Sequence, residues 1–106
     1  MNLESHKSFD QRCHELLLQI PKGKVTTYME IAHALETKAY RAVGQAMNRN
    51  PNLVRFPCHR VVKSNGELGG YATGSVRKLE FLIQVGVDVS ESGRIDLSKF
   101  LYSFSD

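Results

Sequence analysis

The sequence has little cysteine, no long apolar run and no strong excess of charge of either sign, and each shortage removes a class of protein. Two cysteines, Cys13 and Cys58, cannot build the disulfide framework of a small secreted domain, and a reducing compartment would keep both as thiols. No apolar stretch approaches the roughly 20 residues that cross a bilayer. The polar start Met1-Asn2-Leu3-Glu4-Ser5 lacks the pattern of a secretory leader, so a cytoplasmic address is expected. Hydrophobic residues make up 42% of the chain and charged ones 24%, enough apolar material for a core and too little bias for disorder or collagen. At 106 residues, one domain is expected.

The net charge is +3 and the isoelectric point about 9.0, which permits a polyanionic partner without requiring one. The distribution is uneven. Between residues 22 and 63, Lys22, Lys24, Lys38, Arg41, Arg49, Arg55, Arg60 and Lys63 stand against Glu30 and Glu36, so this stretch carries +6 and the rest is net acidic. A nucleic-acid face, if there is one, lies there.

Phe9, Cys13, Leu16, Leu17 and Ile20 form an amphipathic stripe that Pro21 and Gly23 close, predicting a helix from about residue 6 to 20 with Cys13 as a small core residue. Thr27 to Glu30 has capping-box spacing and predicts a short helix through Leu35. Thr37 can cap a third helix whose apolar face is Ala39, Ala42, Val43, Ala46 and Met47. Its opposite face holds Arg41, Gly44, Gln45 and Asn48, with Tyr40 at the edge. Two short helices with a basic, small-residue face on the second read either as a helix-turn-helix or as an ordinary helical hairpin with a solvated face. Gly44 favours the former, because a glycine inside an exposed helix costs about 0.8–1 kcal/mol relative to alanine, a cost that close approach of another backbone would offset.

Beyond Asn50-Pro51, residues 53–56 are expected to lead extended into Pro57-Cys58-His59-Arg60-Val61-Val62, and a strand-turn-strand around Lys63 to Gly66 to form a wing. Val76, Leu79, Leu82 and Ile83 mark the buried stripe of a last helix, with Ser75 as N-cap and Gly86 as C-cap. After Gly86 the pattern weakens, and packed but irregular structure is expected. The fold class is therefore mainly α: a winged helix-turn-helix-like single domain with a small strand or wing element, a core over 6–86 and a tail over 87–106 packed on it.

Cys58 carries the chemistry. A cysteine becomes a nucleophile where positive charge lowers its pKa and a base takes its proton, and here His59 follows it while Arg55 and Arg60 flank it. In an extended segment neighbouring side chains point apart, so cooperation between Cys58 and His59 needs a bend or a bridging water. Zinc is the rival, but neither Cys13-His14 nor Cys58-His59 has the gap that lets both side chains chelate one ion. No metal and no cofactor is expected, and His6 and His33 read as surface or packing histidines.

Pro57-Cys58-His59-Arg60-Val61-Val62, with Arg41 to Met47 and Asn50-Pro51 before it and Gly70-Tyr71 after it, closely resembles the DNA-binding domain of O6-alkylguanine-DNA alkyltransferases, over about Phe9 to Gly86. The resemblance implies DNA repair by direct reversal: a methyltransferase that flips O6-alkylguanine out of double-stranded DNA and takes the alkyl group irreversibly on Cys58. It implies that His59 deprotonates Cys58 through a water, that Asn50 braces the turn before the site, and that Tyr71 protonates or hydrogen-bonds the guanine. Tyr28 would rotate the 3′ phosphate, and Arg41 would fill the gap left by the flipped base. Gly44, Gln45, Tyr40 and Arg60 would complete a minor-groove DNA contact. The implied protein is a monomer without membrane contact, nucleoid-associated or nuclear by host, and without the family's N-terminal domain.

Two departures matter. The family's last helix ends in Glu-Gly, and that Glu holds the histidine; here the pair is Val85-Gly86, with Gln84 and Glu80 available only from other turns. Tyr40 stands where the family has a small residue. The tail from Gly86 to Leu97 resembles alkyltransferase-like proteins, which bind alkylated guanine without repairing it and hand it to nucleotide excision repair, although those carry Trp or Ala in place of Cys58. Non-enzymatic lesion binding is thus the second reading, and a winged-helix transcription factor the third.

Overall fold

The structure, a computed structural model, describes residues 8–52, 55–69 and 75–104. It is mainly helical, with a helix-turn-helix-like arrangement and a small sheet. Helix α1 spans Phe9–Leu17 and opens on a reciprocal capping box between Ser8 and Gln11, shorter than the sequence pattern suggests because turns carry the chain on to Ile20. Strand β1 is Thr26–Thr27, and helix α2, Tyr28–Ala34, follows at once. Thr27 caps it by accepting from Glu30 N at 3.0 Å, but the box is half made: the Glu30 carboxylate accepts instead from Ser103 Oγ at 3.2 Å.

Helix α3, Tyr40–Asn48, begins later than expected, with Ala39 at its N-cap while Thr37 Oγ1 accepts from Ala39 N. Val43, Ala46 and Met47 are buried as the pattern predicts; Ala39 is exposed, because it precedes the first helical turn. Asp10 of α1 accepts two hydrogen bonds from Arg49, at 2.6 and 3.0 Å, and so ties the start of α1 to the end of α3.

Two sequence expectations fail for local reasons. Arg55 and Phe56 lie in a turn closed by Phe56 N donating to Asn52 O at 2.9 Å, not in an extended lead. Cys58–Arg60 forms a 3-10 turn rather than a strand. Strand β2, Val61–Val62, pairs in parallel with β1 (Thr26 with Val61, Thr27 with Val62); the turn after it closes locally, Lys63 N donating to Glu67 O at 2.9 Å, and Glu67 also bridges to Arg94 of the tail. Helix α4 spans Ser75–Gln84, with Ser75 inside it, and Gly86 follows at φ +88. Leu82 is buried as expected, yet Ile83 is 58% exposed and Lys78 is 0% exposed, so the packed face is rotated toward 78, 82 and 85.

The tail adds α5, Leu97–Phe100, and contributes Val87, Ile95 and Phe100 to a second apolar cluster with Val25, Val62 and Leu82. The first cluster gathers Cys13, Leu17, Ile31, Val43, Met47, Cys58 and others from the helical half. Strands β1 and β2 stand between the two, with Val61 in one cluster and Val62 in the other. Gly66, at φ +89, lets the tail close in: a Cβ there would meet Ile95 O at 2.5 Å. No helix among the described residues is long and apolar enough to cross a membrane.

Candidate functional site

The 3-10 turn supplies the bend that an extended Cys-His pair would lack. Cys58 and His59 are both buried, and the turn is held by Cys58 N donating to Phe56 O at 2.8 Å and Arg60 N to Pro57 O at 3.0 Å. Asn50 spans the approach: its Nδ2 donates to Phe56 O at 2.7 Å, its Oδ1 accepts from Asn52 N at 2.9 Å, and its amide stands close enough to the Cys58 thiol to lower its pKa. One side chain thus holds the turn and reaches the nucleophile.

The electrostatics differ from the expectation of a thiol activated by its flanking arginines. Burial pushes the Cys58 thiol up, and the Asn50 amide and the Lys78 charge pull against it. Arg55 lies over the Phe56 ring at 5.2 Å, and Arg60 donates from Nη1 to Ile20 O at 2.8 Å, so Arg60 is occupied within the fold. The cation that reaches the thiol is Lys78. Its Nζ donates to Val61 O at 2.5 Å and sits 5.9 Å from the Tyr28 ring; burial pushes its pKa down to about 8, against the pull of Cys58. Sequence reasoning missed this residue. The signal was the spacing of Lys78, Leu82 and Val85 at i, i+4 and i+7, one face of one helix.

His59 packs on Phe81, with ring centroids 5.1 Å apart. Burial first, then the charges of Arg60 and Lys78, push its pKa down to about 4, so at neutral pH it is an uncharged imidazole. Val85 joins the apolar cluster of the tail, Gln84 is exposed, and the exposed Glu80 pairs with Arg77 at 3.8 Å.

Beside this centre runs an open groove of about 730 Å³ that brings together Tyr28, Tyr40, Arg41, Gly44 and Gln45 with Lys63 and Gly69. Arg41, Gln45 and Tyr40 are exposed, and a Cβ on Gly44 would meet nothing within 4 Å. Tyr28 links groove and centre: it lines the groove, while burial and then the nearby Cys58 push its phenol pKa up. Gly69, at φ +74, makes room for it, since a Cβ there would stand 3.1 Å from Tyr28 Oη. Tyr71 lies outside the described residues. A cationic groove beside a buried thiol can hold a phosphodiester and present one extruded group to a nucleophile.

The chain matches the family model described as 6-O-methylguanine DNA methyltransferase, DNA binding domain, over residues 8–87. A methylated-DNA–protein-cysteine methyltransferase of Methanosarcina mazei is 49% identical over 78 residues, which cover 73% of this chain and 49% of that protein. A bifunctional methyltransferase/endonuclease of Picrophilus torridus is 42% identical over 94 residues, 88% of this chain and 31% of that protein. The chain spans about half or less of the length of these curated relatives. Among solved structures, S. pombe Atl1 in complex with damaged DNA containing O6-carboxymethylguanine superposes with a TM-score of 0.78 at 28% identity, covering 97% of this chain and 99% of that one. Mycobacterium tuberculosis OGT in complex with DNA gives 0.72 at 41% identity, covering 74% and 50%.

Proposed function

The chain belongs to the 6-O-methylguanine DNA methyltransferase DNA-binding-domain family, and from that premise we propose that it repairs DNA by taking the alkyl group of O6-alkylguanine onto Cys58. The observation that carries this reading is the Cys58 thiol itself, beside Asn50, reached by the Lys78 charge and by Tyr28, whose other side lines a cationic groove. The duplex lies along α3, Arg41 fills the space of the extruded guanine, and Tyr28 turns the neighbouring phosphate. Cys58 Sγ attacks the alkyl carbon, the S–C bond forms as the C–O6 bond breaks, and the thiol proton ends on the departing guanine. The thioether is permanent, so each molecule reacts once. Neutral His59 acts as the acceptor of that proton on its way.

A second reading, lesion binding without transfer, is favoured by the sequence: the resemblance puts a Glu that holds the histidine before the last helix's glycine, this chain has Val85 there, packed in the tail's apolar cluster, and loss of an orienting group can cost orders of magnitude in rate while sparing the fold. The likeness over nearly the full length to a protein solved on damaged DNA supports it too. Intact-protein mass after incubation with an O6-methylguanine duplex separates the two. A gain of one methylene, absent in Cys58→Ser, is the expected result; tight lesion binding with unchanged mass would overturn transfer and leave binding.

A further inference from the structure

Next to the Arg41 groove lies a second cavity of about 340 Å³, lined by Tyr28, Met29, Tyr40, Lys63, Ser64 and Asn65. It shares Tyr28, Tyr40 and Lys63 with the groove, so a strand lying in the groove runs into it without a break. Two phenol rings and the exposed Met29 and Lys63 give it aromatic and thioether walls with one cation. Asn65 is committed within its own turn, donating from Nδ2 to Glu67 Oε1 at 2.6 Å and accepting from Glu67 N at 3.0 Å. Tyr40 is 41% exposed, yet it is supported: the His33 ring meets it in a T-shaped contact at 6.1 Å, and His33 Nε2 lies 3.4 Å from its hydroxyl.

We propose that this cavity is a stacking subsite for a nucleobase displaced from the duplex beside the lesion, with its π-face on Tyr40 and its phosphate on Lys63. The proposal rests on the DNA-binding reading above and extends it to a second displaced base. Aromatic rings that alternate with cations bind unpaired nucleotides with little regard to sequence, because every base offers a π-face and every linkage a charge. The volume lies at the small end of ligand sites, suited to one nucleotide rather than a longer stretch. His33 orders the Tyr40 ring in advance, so less freedom is lost on stacking.

The test uses the full chain and lesion duplexes carrying 2-aminopurine, one position at a time, beside or opposite the O6-methylguanine. Wild type is expected to change the emission at one position, and Tyr40→Ala to abolish that change and weaken lesion binding by about tenfold, the usual effect of losing a stacking ring. Tyr40→Phe should retain both, and Lys63→Ala should weaken binding and lower the salt slope by about one. Circular dichroism checks that each variant is folded. Affinity unchanged in Tyr40→Ala, with wild type bound, overturns the subsite and leaves the DNA-binding reading standing. Tyr40→Phe as weak as Tyr40→Ala also overturns stacking, since the hydroxyl would then be the contact. Wild type that binds no DNA overturns the underlying reading itself.

Discussion

The groove and the thiol centre are neighbours built on opposite electrostatic terms. Arg41, Gln45 and Lys63 already carry their charge or polarity into water, so a duplex meets them ready-made. Cys58, His59 and Lys78 are buried, and burial drives all three toward their neutral forms: the thiol pKa is raised, and those of the imidazole and the ammonium are lowered. Each pKa unit is worth about 1.4 kcal/mol, or a factor of ten in the reactive form. Recognition therefore comes with the fold, whereas reactivity depends on a few charges inside it. If this chain transfers alkyl groups, what separates that activity from binding alone stands around one thiol.

The largest separation of the two regions should come from Lys78→Met. The substitution keeps a long side chain in the buried slot but removes the charge that opposes desolvation of Cys58. Alkyl transfer should slow by about tenfold or more, in proportion to the thiolate lost, while lesion affinity holds. The Val61 carbonyl loses its donor at a cost of about 1–3 kcal/mol, partly offset by no longer burying an ammonium. Iodoacetamide labelling of Cys58 against pH isolates the electrostatic part: its midpoint should move up, which a merely structural role would not produce. An unmoved midpoint would return the activation of Cys58 to Asn50 alone.

Lys78 also marks where the sequence stops being legible. The apolar periodicities predict the helices, and the α3 residues of the groove, Tyr40, Arg41, Gly44 and Gln45, are legible in the sequence because α3 is short and its exposed face follows from 3.6 residues per turn; Tyr28 comes from the resemblance alone, and Lys63 and Gly69 are assigned to no site. The centre is harder to read. Arg55 and Arg60 are the cations nearest to Cys58 in sequence, but a turn sends one onto Phe56 and the other to Ile20 O. The effective cation comes from 20 residues downstream, as the numbering of Cys58 and Lys78 shows, through a helix face that Ile83 made look rotated. The strand partner within the wing is not legible for a related reason. Residues 61–62 satisfy their backbone on Thr26 and Thr27, a long-range parallel pairing that no local turn pattern encodes.

His59 offers a second, smaller contrast, since its state is a property of the centre alone. Its pKa in the fold is about 4 against an ordinary 6.5. Between those values the unfolded chain binds the extra proton and the native chain does not, so stability rises with pH through the window; it is fully present above 6.5 and lost as pH falls toward 4. Allowing for partial solvent access, the contribution is about 1–3 kcal/mol. Urea midpoints from pH 4.5 to 7 should show a rise in wild type that is flatter in His59→Gln. Lesion affinity above pH 6.5 should be the same in both, because the groove titrates none of these groups. Parallel curves would mean that His59 is solvated and that the centre is more open than its packing on Phe81 indicates.

Gly44 gives the smallest effect, and its sign differs between the two states of the protein. It occupies the interior of α3, where alanine would stabilise the free protein by about 0.8–1 kcal/mol, and a Cβ there meets nothing within 4 Å to spoil the gain. Nothing among the described residues requires glycine at this position. The same methyl group projects into the groove beside Arg41, where a sugar-phosphate backbone packed against the helix would have to move away. Gly44→Ala should therefore raise the urea midpoint and lower the affinity for lesion duplex, with the salt slope unchanged because no charge is altered. A rise in stability with full affinity would show that the duplex stays clear of this helix turn, and would shift the contact surface toward Tyr28, Tyr40 and Lys63.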